Sequence, residues 1–249
     1  MYIDFHTHLD FYKNQEKLAT QLSNFSGIIV AASVDKNSYL KNKELAEKFN
    51  SNSIKIIPTF GLHPSKAAEN LTQLENGGFD SFLDESEIIG EIGMDFEWHK
   101  DVSAEIQERV FRYILNHCNE KEKFCVIHTK SAEKEIALIL KEYPRAKPII
   151  HWFDGAREVY EEFISRSCMQ TFGCETCRSP YLQSLLKITP RNLILAETDN
   201  PDSEKWLGGT DDSIFLIKRI YEDITKILEL SLEETKNLLN ENALRVIQQ

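Results

Sequence analysis

The 249-residue chain has no apolar run approaching the roughly 18 consecutive residues that cross a bilayer as a helix, and its N-terminus shows no basic-then-apolar secretory pattern. No membrane association is expected, and a cytoplasmic location is the default expectation. Cysteine is scarce and odd in number: Cys118, Cys125, Cys168, Cys174 and Cys177. That argues against a disulfide framework. Cys174 and Cys177 form a CxxC, but a structural zinc needs a second ligand pair, and Cys118 and Cys125 lack the spacing. The pair reads as thiols following a strand. Basic charge is also in deficit, with 29 Lys and Arg against 40 Asp and Glu, a net charge of −11. A protein that coats long stretches of DNA by charge alone is disfavoured. A nucleic-acid enzyme is not, because clustered divalent cations make one pocket locally positive on an acidic body. Low-complexity tracts and Pro/Ser-rich linkers are absent as well. With 41% hydrophobic and 28% charged residues, the chain reads as one large α/β domain spanning 1–249.

Short apolar, strand-like runs alternate with polar, periodic ones. Strands are expected at 2–8, 27–33, 54–60, 88–93, 124–128, 148–153, 169–173 and 192–198. Helical segments are expected at 36–49, 103–120, 131–142, 155–165 and 180–187. In 103–120, Ile106, Val110, Ile114 and Leu115 keep a helical period that suits packing rather than chemistry. The tail from 211 to 247 reads as two further helices, with Ser231 as N-cap ahead of Glu233 and Glu234. Eight β/α units in a chain of this length predict a (β/α)8 TIM barrel with extra C-terminal helices. A doubly wound open sheet is the alternative, since one sequence does not give strand order.

Six potential metal ligands sit at or just past the ends of the apolar runs: His6, His8, Glu91, His128, His151 and Asp199. Imidazoles and carboxylates at the C-terminal ends of parallel strands would gather on one barrel face and hold one or two divalent cations. His6 and His8, two apart on a strand, share a side of it, and Asp4 shares their phase and would orient a ligand from behind. Glu91 lies between Gly90 and Gly93, where the backbone must approach a neighbour closely, and is placed to bridge two cations. Asp199, ahead of Pro201, would bind a cation and accept a proton from water.

Other residues offer substrate contacts. His63, in Gly61-Leu62-His63-Pro64, suits donation to a phosphate oxygen or leaving group, or else stabilises its turn. Lys130 would meet an anion at the same mouth or be solvated. Asp95 would cap its loop or touch substrate. Trp152 would stack on a base or pack beneath the rim.

Together these pieces resemble the TatD family of metal-dependent deoxyribonucleases. The resemblance runs nearly end to end, through Asp4-Phe5-His6-Thr7-His8-Leu9, Gly61-Leu62-His63-Pro64, Gly90-Glu91-Ile92-Gly93-Met94-Asp95, Val126-Ile127-His128, Ile150-His151-Trp152-Phe153, Glu197-Thr198-Asp199 and Asn242-Ala243. It implies a TIM barrel, a two-metal site built by the six ligands, and phosphodiester hydrolysis in DNA, often 3′-to-5′. Lys130 stands where such proteins commonly carry Arg, and Asn200 where they carry a small residue, which bears on substrate preference. The Asp4-Phe5-His6 opening, Phe11-Tyr12 and His151-Trp152-Phe153 resemble the TatD-like subgroup of Qat anti-phage systems, implying partners of an ATPase and a QueC-like protein.

The expected mechanism is two-metal hydrolysis with Glu91, Asp199 and His63 as catalytic groups. Four imidazole ligands suit zinc or manganese, whereas the resemblance points to magnesium. Two other readings stand beside it. One is a barrel hydrolase for a different ester or amide, such as aminoacyl-tRNA. The other is a docking module of a defence complex.

Overall fold

The computed structural model describes residues 1–248. Eight strands alternate with helices among them: β1 (Tyr2–Thr7), α1 (Gln15–Asn24), β2 (Gly27–Ala31), α2 (Lys36–Phe49), β3 (Ile54–Pro58), α3 (Ala67–Glu75), α4 (Asp80–Glu85) and β4 (Ile89–Gly93). Then come α5 (Ala104–Lys121), β5 (Phe124–His128), α6 (Glu133–Ile139), β6 (Lys147–Ile150), α7 (Arg157–Ser165), β7 (Met169–Phe172), α8 (Pro180–Ile188), β8 (Ile194–Ala196), α9 (Ser203–Trp206), α10 (Leu216–Leu228) and α11 (Leu232–Ile247). The chain packs as two compact units, one formed by 1–32, 40–58 and the residues from Thr171 on, the other by 33–39 and 59–170.

In the first unit β1, β2 and β3 pair in parallel, with Ile3 beside Ile28 and Ile29 beside Ile56. The C-terminal helices brace β1. Tyr221 of α10 is buried and donates its hydroxyl to the Ile3 carbonyl (3.2 Å), while accepting from the Ile3 amide (3.1 Å). Its neighbours Ile217, Ile220 and Ile224 are buried at helical spacing. Ser231 is the N-cap of α11, as its sequence predicts, and it forms a reciprocal box with Glu234. Asn242 then donates to the carbonyls of Arg191 (2.7 Å) and Ile194 (2.8 Å), fixing α11 to the approach of β8.

In the second unit β4, β5, β6 and the first half of β7 are successive parallel neighbours. Ser103 caps α5, and the helix buries Val110, Phe111, Ile114, Leu115 and Cys118. Tyr39, Phe60, Phe79 and Phe82 form an aromatic cluster.

The expected strands are all present, but several end earlier than the apolar runs. The 27–33, 54–60, 148–153 and 192–198 segments leave their ladders at Ala31, Pro58, Ile150 and Ala196. Their last residues lie in loops; His8, His151 and Asp199 are carried just past strand ends, whereas His6, Glu91 and His128 stay within β1, β4 and β5. The 131–142 segment is helical only from Glu133 to Ile139 and tightens into a 3₁₀ turn over Leu140–Glu142. Helices α1, α3, α4 and α9 have no counterpart in the sequence reading. Among the described residues, no helix is long and apolar enough to cross a membrane.

Candidate metal-binding clusters

The first unit brings together His6, His8 and Asp199. His6 lies near the end of β1 and His8 just beyond it, so the two-residue repeat presents both rings to one side. The Asp199 amide donates to the His6 carbonyl (2.9 Å), and the His8 amide to the Asn200 carbonyl (2.9 Å). These backbone bonds tie the segment after β8 to the end of β1. Asp4 accepts from the Thr198 amide (2.9 Å), the Thr198 hydroxyl (2.6 Å) and the His6 amide (3.3 Å). It therefore holds backbone in register, and the expected contact to an imidazole from behind is not what its oxygens make.

The resulting triangle is tight. Nε2 of His6 lies 3.3 Å from Nε2 of His8, and Oδ1 of Asp199 lies 3.5 Å from the first and 3.3 Å from the second. All three residues are buried. Phe11, 43% exposed, stacks on the His8 ring at 4.8 Å between centroids.

The second unit gathers imidazoles around Glu91. Oε1 of Glu91 lies 2.9 Å from Nδ1 of His128, 2.9 Å from Nε2 of His151 and 3.7 Å from Nε2 of His63. Nδ1 of His128 is 3.4 Å from Nε2 of His151. Glycine is required here by close approach. A Cβ on Gly93 would meet the His128 carbonyl oxygen at 2.1 Å, so β4 reaches β5 only with a bare α-carbon at this position. Burial alone would raise the Glu91 pKa, but the charges of His151 and His63 and hydrogen bonds from His128 and His151 hold it well below the usual carboxylate range.

Asp95 is the group that orients a ligand. Its Oδ2 lies 3.1 Å from Nε2 of His128, and its Oδ1 accepts from the amides of Glu97 (2.9 Å) and Trp98 (2.7 Å). With Nε2–H directed at Asp95, Nδ1 of His128 would offer its lone pair to a cation bound beside Glu91, in place of the hydrogen bond that it donates to Glu91 when protonated there. Burial opposes charge on His128, but Asp95 and Glu91 outweigh it and raise its pKa. Asp95 is 0% exposed. Of its two expected roles, its hydrogen bonds to the Glu97 and Trp98 amides are those of a cap.

His63 differs from the ligand histidines. Its Nδ1 accepts from the Ser65 amide (3.2 Å) and lies 2.8 Å from the Ser65 hydroxyl. A neutral imidazole that accepts at Nδ1 carries its proton on Nε2, so the hydrogen-bond network assigns His63 as a donor toward Glu91. Lys130 is held by Asp154 and lies 3.9 Å from Glu97, so its charge is shared between two carboxylates. Trp152 is partly buried, with a left-handed φ of 44°. The CxxC thiols carry no reactive signature: burial pushes Cys174 up to about 12, and Cys177 is raised as well.

Two features escaped the sequence reading. Gln107 of α5, not singled out there, is buried. It accepts from the Asp95 amide (2.7 Å) and donates to the carbonyls of Asp95 (2.9 Å), His99 (3.1 Å) and Val102 (2.9 Å). Trp98 sits beside His128, with 6.2 Å between ring centroids. A Gln within an apolar helical stripe was the one available signal for the first; nothing in the sequence marked the second.

Both clusters suit a divalent cation. Metal–ligand bonds of about 2.1 Å at octahedral or tetrahedral angles place donor atoms roughly 3.0–3.4 Å apart. The first triangle has edges of 3.3, 3.3 and 3.5 Å. The Glu91–His128–His151 triangle has edges of 2.9, 2.9 and 3.4 Å. Each offers imidazole nitrogen with one carboxylate oxygen, a donor set for first-row divalent metals.

Comparison with known proteins agrees with this chemistry. A family model described as TatD related DNase matches residues 3–248, spanning both units. An uncharacterized metal-dependent hydrolase of Methanocaldococcus jannaschii is 28% identical over 97% of this chain and 94% of its own length. The human deoxyribonuclease TATDN3 is 23% identical over 98% of this chain and 93% of its own. Among solved structures, a TatD homolog of Escherichia coli K12 superposes with a TM-score of 0.82 at 21% identity, covering 98% of this chain and 97% of that one. A TatD-family hydrolase of Entamoeba histolytica gives 0.84 at 22%, with the same coverage. The structural likeness gives the fold class, α/β of the TIM-barrel type expected from the alternation of elements. The buried histidine–carboxylate clusters and a family match over almost the whole sequence lead to one conclusion: the chain is a metal-dependent hydrolase belonging to the TatD-related DNase family.

Proposed function

We propose that this enzyme hydrolyses phosphodiester bonds in DNA, releasing nucleotides from a 3′ end, with two divalent cations. His6, His8 and Asp199 would hold one, and Glu91, His128 and His151 the other. The observation that carries the reading is the placement of His128 and His151 both 2.9 Å from a single oxygen of Glu91, in a buried, preorganised arrangement. The human relative TATDN3 is named a deoxyribonuclease.

A bound divalent cation would supply charge neutralisation at phosphate oxygens and acidify water near neutral pH. The chain's own residues do the rest. Asp199 accepts a proton from the attacking water. His63 donates from Nε2 to a phosphate or leaving-group oxygen. Asp95 keeps the His128 ring in one tautomer. Lys130, held by Asp154, is a point charge near the same cluster and not the bidentate fork an arginine would offer. Two imidazoles in each set favour zinc or manganese over magnesium.

The test is end-labelled single- and double-stranded DNA incubated with magnesium, manganese or zinc, with Glu91→Ala as control. A ladder shortening from the 3′ end, absent in the variant, supports the reading. No cleavage with any ion, together with turnover of a model ester or aminoacyl-tRNA, replaces it with the other hydrolase. The Qat-type defence role, with an ATPase and a QueC-like protein as partners, rests on the sequence resemblance alone. It predicts that phage protection by the co-expressed set is lost with Asp199→Asn. Full protection by that variant would favour a docking role instead.

A further inference from the structure

We infer that Trp98 is a stacking platform for a nucleobase at a single-stranded DNA end, set beside the ligand His128. The inference rests on the DNA reading above and names how that substrate is gripped. Trp98 is 50% exposed, although its indole is the largest apolar side chain in its loop. That exposure does not come from a loose segment. The Trp98 amide donates to Oδ1 of Asp95 (2.7 Å), whose other oxygen orients His128. Gln107 binds the carbonyls of Asp95, His99 and Val102, closing the loop on both sides of Trp98. One buried carboxylate thus sets the position of both a metal-ligand imidazole and an exposed aromatic face. The two rings are 6.2 Å apart, inclined at 55°. The Lys130 ammonium lies 4.9 Å from the indole centroid, so a cation accompanies the platform.

Charge explains why such a platform is needed. The protein carries −11, and Lys130 is already shared by Asp154 and Glu97. Away from the cation sites the acidic body offers a polyanion little long-range attraction, and a contact that does not depend on charge adds affinity there. Base–aromatic stacking is such a contact, and it tolerates any sequence because every base has a π-face. A rigid indole next to the ligand cluster holds one base while the neighbouring phosphate meets the metal-binding side chains.

The experiment measures binding of fluorescently labelled single-stranded oligonucleotides to the full chain by anisotropy, with calcium as the divalent ion. Wild type, Trp98→Ala and Trp98→Phe are compared on oligonucleotides with an intact or an abasic 3′-terminal nucleotide. Trp98→Ala should weaken binding to the intact end roughly tenfold or more, and Trp98→Phe by less than about threefold. The abasic end should bind wild type as weakly as the intact end binds Trp98→Ala, with no further loss in that variant. Equal binding of both ends by wild type and Trp98→Ala would overturn the inference, as would absence of any binding by wild type. Cleavage by wild type is followed separately with magnesium, manganese and zinc. Trp98-dependent binding without cleavage would leave the platform standing and remove the nuclease reading.

Discussion

Oδ2 of Asp95 and Nε2 of His128 lie 3.1 Å apart, both buried, so the nitrogen of His128 that faces away from Glu91 is fixed by a carboxylate. An orienting carboxylate of this kind raises the basicity of the ligating nitrogen, and its loss typically costs 10- to 100-fold in metal affinity or activity. Asp95→Asn keeps the size and the backbone caps but removes the charge. Metal affinity should fall by roughly tenfold or more in a competitive chelator titration, with the far-ultraviolet circular dichroism unchanged. Unaltered affinity would assign Asp95 to loop structure alone.

Metal occupancy should depend on pH through the same histidine. A cation needs the unprotonated Nδ1, and the carboxylates of Asp95 and Glu91 raise the His128 pKa above its ordinary value of 6.5. Protons therefore begin to compete above pH 6.5 and win as the pH falls further. Metal content after equilibration at pH 8, 7, 6 and 5, read by elemental analysis, should decline across this range. Constant stoichiometry down to pH 5 would contradict histidine ligation.

His63 should behave as a proton donor and not as a ligand. His63→Gln should lower kcat on the order of 10²-fold, the usual scale of general acid–base catalysis, with bound metal per chain unchanged. Loss of metal in step with activity would instead place His63 among the ligands.

Gln107 has a structural prediction of its own. Truncation to Ala would leave the buried Asp95 amide and the carbonyls of Asp95, His99 and Val102 without this partner. Unsatisfied buried polar groups cost about 1–3 kcal/mol, so Gln107→Ala should reduce unfolding free energy by about 2–3 kcal/mol in a urea titration. A change below 0.5 kcal/mol, on the scale of ordinary surface substitutions, would mean the loop holds without it.

The residues at strand ends were legible in the sequence because two signals coincide there, an apolar run and a metal-ligand residue at its close. His6, His8, His128, His151 and Asp199 all have that form. Helix α1 was missed because its buried stripe is only Leu18 and Leu22, too short to show a period. Helix α4 is six residues long with one buried position, Leu83. The dual bonding of Asp95 was out of reach for a different reason: a carboxylate in a loop reads as a cap, and its second partner is 33 residues away. Trp98 carries no pattern, since an exposed aromatic in a polar loop follows no periodicity.

The absent side chain at Gly93 limits how the sequence can drift. With His128 carbonyl oxygen only 2.1 Å from where even an alanine methyl would sit, any replacement wedges two neighbouring strands apart and shifts an imidazole that depends on their spacing. A saturation library at this codon, screened for retained metal rather than for turnover, should return the wild-type residue almost alone, while Gly208, with nothing within 4 Å of its missing methyl, should accept a spread of residues limited only by its left-handed backbone.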